Sequence, residues 1–325
     1  MRILEIMGTG IRFHSTAPAM APRRFGIIAA VSAAVLLAVT TKASMVGPVD
    51  LGIAGNFALL ALTGSIDDSG LVGPDSNPYT VDGQVGVVTP GEKFQASGSV
   101  RYSGPIYLHS GVIFDNSAPG VPSPTTGPAI DALLEQARIY AFSASNFALT
   151  LPVTASYGAI TNNLSISQSS VGNYVFNIQS ITFSGGKALT LDAPAGSTFI
   201  LNISSGLTLS PGSIVLSGGL TAGNVLVNYT GTNDVSTSGG GNASRIYATI
   251  LAPNATVGLH PGFVGGSIIA GAITMSSGAN VIPVPEVTPG SVIFGFLGFV
   301  VAFSSRRMLM ARARATSLQR RRRLD

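Results

Sequence analysis

Short runs of alternating apolar and small polar residues, separated by turn-forming residues, dominate the chain from Gly172 onward. The clearest runs are 174–178, 198–203, 213–216 and 224–229. Alternation with a period of two is typical of strands that bury one face, and Gly, Ser, Asn and Pro are the residues that form turns between them. Charged residues make up only 10% of the chain, which argues against long solvated helices in this region. The pattern therefore predicts a mostly β protein.

A repeat of 18 residues indicates how these strands are arranged. The Leu-Thr-Leu segment 189–191 recurs at 207–209, and the segment 250–252 (Ile-Leu-Ala) recurs at 268–270 as Ile-Ile-Ala. An offset of 18 suits one coil of a three-sided parallel β-solenoid, with roughly six residues on each face. A β-sandwich with evenly spaced hairpins is the alternative. Two matches at one offset favour the solenoid.

One segment, at about 128–147, has the period of a helix instead. Its apolar residues are spaced mostly three or four apart, and Pro128 and Asp131 suit the first turn of a helix. We predict one long α-helix that lies along the solenoid and buries the stripe formed by Ile130, Leu133 and Ala137.

The N-terminal segment 1–43 has the organisation of a secretory signal peptide. Arg23 and Arg24 precede an apolar run at 25–39, and Thr41-Lys42-Ala43 offers small residues at a cleavage site. In an alternative interpretation translation starts at Met20, which would begin a signal peptide of more ordinary length. Either start predicts a protein exported across the inner membrane.

The C-terminal segment 282–325 reads as a sorting signal. It contains Val284-Pro285-Glu286, an uncharged apolar stretch at about 287–305 of nearly the ~20 residues that span a bilayer, and a basic tail. Arginines after an apolar span hold that end in the cytoplasm, and the membrane-stop arginines here are Arg306, Arg307, Arg312 and Arg314. This order of elements resembles the PEP-CTERM signal of bacterial exported proteins. The resemblance implies an exosortase-type sorting enzyme as partner and transient anchoring in the membrane. A permanent membrane anchor is the alternative.

We predict that the segment 45–281 is a single β-solenoid domain. Its composition excludes several classes of function and of stabilising bond. Between residues 45 and 285 there are five Lys and Arg against eleven Asp and Glu, a net charge of −6. This part lacks the basic stripe that nucleic-acid binding requires. The chain has no cysteine, so disulfides and thiolate metal sites are excluded.

Several stretches of this domain resemble known extracellular families. The segment 50–64 resembles the opening of the bacterial ice-binding-like β-solenoid domain. The segments 224–229, 249–255 and 265–270 are similar to the "choice-of-anchor A" domain, an adhesive module found with interchangeable C-terminal anchors. The resemblance implies a non-catalytic adhesive or structural protein of the cell surface or extracellular matrix, with an extracellular polysaccharide or other surface ligand as partner.

An enzymatic role is the rival hypothesis, because β-helices include polysaccharide lyases and glycoside hydrolases. Those enzymes need paired carboxylates, or acidic metal ligands with a basic residue. The candidates would be Asp67, Asp68 or Asp234 converging with Arg245 or Lys187. Adjacent strand residues point to opposite faces, so Asp67 and Asp68 should not act as a pair. We therefore predict no catalytic residue and no cofactor.

Metal binding and ice binding are two further possibilities. Asp67, Asp68, Asp75 and Asp82 could form a calcium loop, but solvated loop acids are the preferred interpretation, as surface or turn positions are for His109 and His260. We predict no metal site. Ice binding is a second non-catalytic hypothesis, because Thr190, Thr208, Thr256 and Thr274 recur at the 18-residue offset and form a candidate ligand or ice face.

Overall fold

The computed structural model describes residues 44–70, 79–239 and 244–283. The predicted signal peptide (1–43), the motif Val284-Pro285-Glu286, the predicted membrane segment and its arginines lie outside these residues. Within the described ranges, no helix combines the length and apolar character needed to cross a membrane.

The described residues form short strands with two long exceptions, and one α-helix. The α-helix, α1, spans Pro128–Thr150. The strands are β1 (Ser44–Val46), β2 (Val49–Gly52), β3 (Phe57–Ala61), β4 (Ile66–Asp68), β5 (Gln84–Val87), β6 (Lys93–Ala96), β7 (Ile106–Leu108), β8 (Ile113–Asn116), β9 (Ala155–Ile160), β10 (Leu164–Ser167), β11 (Asn173–Asp192), β12 (Thr198–Ser217), β13 (Val225–Tyr229), β14 (Val235–Ser238), β15 (Ser244–Ile246), β16 (Thr249–His260), β17 (Gly262–Val264), β18 (Ile268–Met275) and β19 (Asn280–Val281).

Parallel pairing of these strands builds the predicted solenoid. The antiparallel hairpin β1–β2 stands apart, and the other strands join one sheet through parallel ladders. The long strands β11 and β12 pair along most of their length, with register shifts after Ile178 and Ser184 where they turn a corner. Each therefore contributes to three successive faces. The parallel pairing confirms the solenoid and is inconsistent with the hairpins of a β-sandwich.

Each face is a stack of strands, one from each coil. We call the first face the ladder of β9, the start of β11 and β12, β13, the start of β16 and β18, β3, β5 and β7. The second face contains the middle of β11 and β12, β14, the end of β16 and β18, β4, β6 and β8. The third face contains β10, the end of β11 and β12, β15, β17 and β19. Apolar side chains from all three faces fill the interior.

The order of coils in the stack differs from their order in the chain. The first coils run through β3 to β8, and α1 then carries the chain to the opposite end, where β9 begins. From there the coils return, until β18 pairs in parallel with both β3 and β4. A helix of this length spans about 35 Å, which matches about seven strands at ~4.8 Å spacing.

The fixed 18-residue coil is correct for only one of the two repeats. Ile250 pairs with Ile268, as predicted. Leu189 pairs with Ile214 instead of Leu207, because this coil is longer. Its corner contains Gly185 and Gly186, both with positive φ, at the register shift between Ser184 and Lys187. Coil length therefore varies with the number of residues in each corner.

Helix α1 confirms the predicted helix and extends it to Thr150. Pro128 occupies the first turn, and Leu151, which precedes Pro152, has extended φ and ψ angles that end the helix. The buried stripe is shifted from the prediction. Ala137 is buried, but Ile130 and Leu133 are only half-buried. The residues that contact the sheet are mostly small, which allows a close approach, and they are Leu134, Ala137, Ala141, Ala144, Ser145 and Ala148.

A ladder of asparagines fixes the helix to the first face. Asn177, Asn202 and Asn228 pair in register on adjacent coils. The Asn228 amide donates to Asn202 Oδ1 at 2.9 Å, and the Asn202 amide donates to Asn177 Oδ1 at 3.3 Å. From the helix, Ser145 Oγ donates to Asn228 Oδ1 at 2.7 Å, and the carbonyls of Ser145 and Ala148 accept from Asn228 and Asn202. The buried amides of Asn202 and Asn228 are therefore satisfied at the helix–sheet contact.

Replacing Asn228 by alanine should destabilise the protein. Asn228 is fully buried, so the variant leaves Ser145 Oγ and Asn202 Oδ1 without their partner. We expect the free energy of unfolding to fall by about 1–3 kcal/mol in urea denaturation. Asn177→Ala is the matched control, because Asn177 is the exposed end of the same ladder and should cost clearly less. Equal losses in the two variants would contradict the structural role of the ladder.

Candidate functional site

Two rows of small hydroxyl side chains point outward from the second face. Thr182 pairs with Thr208, and Thr208 pairs with Ser236 on the next coil. Further along, Ser236 pairs with Gly258 and Gly258 with Thr274. We call the hydroxyl face the surface made by this row and the row two residues further along each strand. Its residues are Thr182, Ser184, Thr208, Ser210, Ser236, Ser238, Gly258, His260, Thr274 and Ser276.

The local sequence explains why these side chains face solvent. Four of the five strands that form the hydroxyl face have the form hydroxyl–X–hydroxyl, and the fifth has Gly258-Leu259-His260. In all five the central residue is buried in the solenoid interior. Because side chains alternate along a strand, an inward X places both of its neighbours outside. The inward residues are Phe183, Leu209, Thr237, Leu259 and Met275. Thr237 satisfies its buried hydroxyl by donating to the Pro261 carbonyl at 3.0 Å.

Hydrogen bonds connect the hydroxyl face along the solenoid axis. In the second row Ser184 pairs with Ser210, and Ser238 Oγ donates to Ser210 Oγ at 2.7 Å. Neighbouring strands lie ~4.8 Å apart, so the hydroxyls repeat at that spacing. Three consecutive coils carry a hydroxyl in both rows.

His260 lies across the face on the following coil. Its Nδ1 is 2.9 Å from Ser276 Oγ and its Nε2 is 3.1 Å from Thr274 Oγ1. The ring occupies space above Gly258, where a Cβ atom would come within 2.7 Å of His260 Nε2. The sequence predicts a surface or turn position for His260, and the residue is exposed. The structure adds that it contacts two hydroxyls of the candidate face.

Charged side chains replace the hydroxyls at the other end of the second face. Thr274 pairs with Asp67, and the same row continues through Gln95 and Asp115. Lys93 Nζ lies 2.9 Å from Asp115 Oδ2 and donates to Gln95 Oε1 at 3.0 Å. An exposed pair of this kind contributes little to stability, about 0–1 kcal/mol. The second face is thus divided into a neutral part and a charged part.

Only two of the four predicted threonines belong to the hydroxyl face. Thr208 and Thr274 lie in its first row, although not on adjacent coils. Thr190 lies on the third face, between Ser165 and Val215, and Thr256 pairs with Ala272 after a register shift. No two of the four are paired directly. Thr190 and Thr208 are not paired because the coil of β11 and β12 is longer than 18 residues, and Thr256 and Thr274 are not paired because of the register shift in β16.

The residues of the hydroxyl face that the 18-residue repeat does not identify share a simple signal. Hydroxyl–X–hydroxyl with an apolar X occurs at 182–184, 208–210 and 274–276, and 236–238 has Thr as X. These segments are separated by unequal distances, so a search for one constant period does not detect them.

The residues considered for catalysis are distributed over different parts of the solenoid. Asp67 is exposed on the second face, and Asp68 beside it is buried in the interior, which confirms that they point to opposite sides. Arg245 lies on the third face in β15, and Lys187 Nζ donates to the Thr161 carbonyl at 2.9 Å. Asp75 lies outside the described residues. Within those residues, no three His, Asp or Glu side chains are grouped as a metal site would require.

Asp68 is a buried carboxyl whose hydrogen-bond partners the sequence does not predict. The Tyr102 hydroxyl donates to its Oδ2 at 2.8 Å, and the Gly70 amide donates to its Oδ1 at 3.0 Å. Burial raises the pKa of Asp68 to about 6, and these two hydrogen bonds oppose that shift. Burial and the nearby Asp68 charge raise the pKa of Tyr102 well above its usual value.

Comparisons with known proteins agree with this architecture. Residues 39–281 match the sequence model of the ice-binding-like adhesive domain family. No curated protein matches the sequence. Among solved structures, an ice-binding protein with antifreeze activity from an Arctic yeast is 21% identical, over 74% of this chain and 97% of that chain, with a TM-score of 0.51. The ice-binding protein domain of Shewanella frigidimarina is 20% identical, over 75% of this chain and 99% of that one, with a TM-score of 0.50. At these identities the likeness shows the shared fold alone.

The raised pKa of Asp68 predicts a dependence of stability on pH. Its folded pKa, about 6, exceeds the ordinary 3.8, so the folded state holds the proton more tightly. The stability from this group is fully present below pH 3.8 and is lost as pH rises through about 6. The loss should be on the order of 2–3 kcal/mol.

Asp68→Asn should therefore gain stability relative to the wild type between pH 4 and pH 7, measured by urea denaturation. Asp67→Asn, at the exposed neighbouring position, should show no comparable gain. A constant difference between Asp68→Asn and the wild type would contradict the assignment.

Proposed function

Because the chain belongs to the ice-binding-like adhesive domain family, we propose that it is a non-catalytic surface-binding protein that attaches to an extracellular polysaccharide through its hydroxyl face. The observation that carries this proposal is the pair of neutral hydroxyl rows in register on successive coils. A polysaccharide presents hydroxyls along its length, so an elongated surface of donors and acceptors can bind it at several points.

The energetics of such a surface depend on repetition. One hydrogen bond contributes only about 0.5–1.5 kcal/mol net, so a single Ser or Thr binds weakly. Rows held on one rigid scaffold act together, because each further contact forms without a new loss of translational freedom. Threonine also has few side-chain rotamers to lose, since its β-branched side chain is stiff. A rigid face with many weak contacts suits adhesion.

The non-catalytic part of the proposal rests on where the ionisable residues lie. Asp67 and Asp68 are on opposite sides of β4, and Arg245 is on a different face. Paired carboxylates at the separations typical of glycosidases require side chains that point into one groove. The placement of these candidates gives no support to a lyase or hydrolase.

Ice binding is the second candidate, favoured by one specific feature. The coils that carry Thr182, Thr208 and Ser236 each have a second hydroxyl two residues later, which gives a regular array over three coils. An ice plane needs such regularity over a flat surface. The next coil interrupts the array, because it has Gly258 in the first row and His260 in the second. Asp67 then introduces charge. Because of this interruption, we rank polysaccharide binding ahead of ice binding.

Export and sorting complete the proposal. The N-terminal segment would direct the chain across the inner membrane, and the PEP-CTERM-like tail would hold it there until an exosortase-type enzyme processes it at Val284-Pro285-Glu286. The domain would then act at the cell surface or in the extracellular matrix. The choice-of-anchor resemblance supports this location, because interchangeable C-terminal anchors imply a surface module.

Substitution of a threonine in the middle of the hydroxyl face tests whether this face binds polysaccharide. Thr208→Lys should reduce retention of the purified protein on insoluble cellulose or chitin at least tenfold, because a long charged side chain prevents close approach of the polymer. Thr190→Lys is the matched control, since it makes the same change at a half-exposed strand position on the third face. Equal retention of Thr208→Lys and wild type on both polymers would overturn the assignment of this face.

The same variants separate the two candidate functions. If the face binds ice, the wild type should inhibit ice recrystallisation, Thr208→Lys should abolish that activity, and retention on polysaccharide should be negligible. If it binds polysaccharide, recrystallisation should proceed as with an inert protein. Failure of the wild type in both assays would reject both functions for the hydroxyl face.

A further inference from the structure

The two ends of the solenoid differ in how they are covered. At the end formed by β7 and β8, the segment that follows β8 continues the stack, because Gly120 bridges to Arg101 and Thr125 bridges to Tyr107. This segment covers two of the three faces. The remaining edge, β8, carries the charged residue Asp115. We call this the covered end.

The opposite end of the solenoid is an open coil, residues 151–172, which we call the terminal coil. Within the described part of the chain, its strands β9 and β10 pair with β11 and with no other strand. One edge of each strand therefore presents backbone amides and carbonyls, which can template pairing with another chain. Charged residues and proline commonly protect such edges, and neither occurs in β9 or β10.

The apolar interior is also open at the terminal coil. Tyr157 pairs with Ile178 on the next coil, and Leu164 pairs with Leu189. Ile178 and Leu189 are buried, whereas Tyr157 and Leu164 pack against the same core but remain half-exposed. The difference arises because Ile178 and Leu189 have a coil on both sides. A further layer over the terminal coil would bury the two half-exposed side chains, which is favourable for apolar groups.

The terminal coil is uncharged, although the domain as a whole is acidic. Residues 139–186 contain no Asp, Glu, Lys, Arg or His. The next coil adds Lys187 and Asp192, whose charges are opposite. The covered end instead has the exposed ion pair of Lys93 and Asp115. Two acidic domains repel each other over most of their surface, so an uncharged end is where two copies can approach closely.

We propose that the terminal coil is a dimer interface, through which two copies of this chain stack end to end about a two-fold axis. The axis is perpendicular to the solenoid axis, so it reverses the strand direction and the open edges of the two copies pair antiparallel. The two open cores then become continuous. The terminal coil has about 20 residues, close to the roughly 20–30 that each partner contributes to a stable interface.

The difference between the ends favours two-fold symmetry over a head-to-tail stack. A two-fold interface uses the same surface on both copies, so the uncharged end meets another uncharged end. Head-to-tail stacking would place the terminal coil against the covered end, where two faces are already continued by the chain itself. The dimer goes beyond the proposed function, because it forms without a ligand. It would carry two hydroxyl faces, whose contacts to one polymer could add by multivalency.

Sedimentation velocity of the purified protein at a series of concentrations, without polysaccharide, tests the interface. The wild type should sediment as a dimer at micromolar concentration. Val153→Lys should raise the dissociation constant of the dimer at least tenfold, because the two-fold axis brings two lysines into one apolar interface. Val153 lies in the terminal coil and is 44% exposed, so this variant should fold. Leu164→Lys should weaken the dimer further, and urea denaturation checks that it folds.

Ile113→Lys is the matched control, because it places the same charge on an apolar residue of β8 that is 54% exposed at the covered end. Its dimer should dissociate like that of the wild type.

Four results decide the proposal. Weakened association of folded Val153→Lys, with Ile113→Lys unaffected, supports the two-fold interface. Equal weakening by Ile113→Lys and Val153→Lys would show head-to-tail stacking and overturn it. Equal association of the wild type and all variants would place the contact outside the terminal coil, and a monomeric wild type at every concentration would reject the dimer. None of these results depends on what the hydroxyl face binds, since no polysaccharide is present.

Discussion

The parallel pairing of β18 with β3 and β4 holds the whole solenoid together. The chain builds one block of coils before helix α1 and a second block after it, and the blocks pair where β18 lies beside β3 and β4 and where Val281 lies beside Val81. Backbone hydrogen bonds at this junction satisfy strand edges that would otherwise be exposed. The interior then becomes one continuous apolar column, with residues from both blocks in a single core. Helix α1 has its length for the same reason, because it must carry the chain from one end of the stack to the other.

The junction also decides which surfaces are available for binding. The first face is closed by α1 and the N-terminal hairpin, whose apolar residues form a second cluster with the outer side of that face. Only the second and third faces present long rows of side chains to solvent. The junction joins the neutral part of the second face to its charged part, since Thr274 in the last long strand lies beside Asp67 in the first coil. Neutral and charged residues that are far apart in the sequence thus lie on one surface.

The sequence was sufficient to predict the class of fold, because alternation and turn residues are local signals. The helix was predictable from its own periodicity, within a few residues at its C-terminal end. The pairing was predictable only for Ile250 with Ile268, because the corners of other coils contain different numbers of residues. Gly185 and Gly186 lengthen one coil, and the segment from Ile250 to Ile268 forms a shorter one. A constant offset consequently places Thr190 beside Thr208, whereas Thr190 pairs with Val215. The pairing of β18 with β3 joins residues about 200 positions apart and leaves no local signal.

The hydroxyl face shows that strand register, and not composition, locates a candidate binding surface. Ser and Thr are abundant throughout this chain, so their number says little about where a ligand would bind. Once the strands are aligned, Thr182, Thr208 and Ser236 form one row, and the same alignment places His260 over the gap left by Gly258. Gly258, which makes this gap, and Gly265, which lies beneath the rings of Tyr247 and Phe263, have a common physical effect. Each removes a side chain from the sheet surface so that a larger ring from the same or a neighbouring coil can lie across it. On a solenoid with few charges, such rings add to the chemical variety of the exposed faces. They are therefore the positions at which one coil can be distinguished from the next by a ligand.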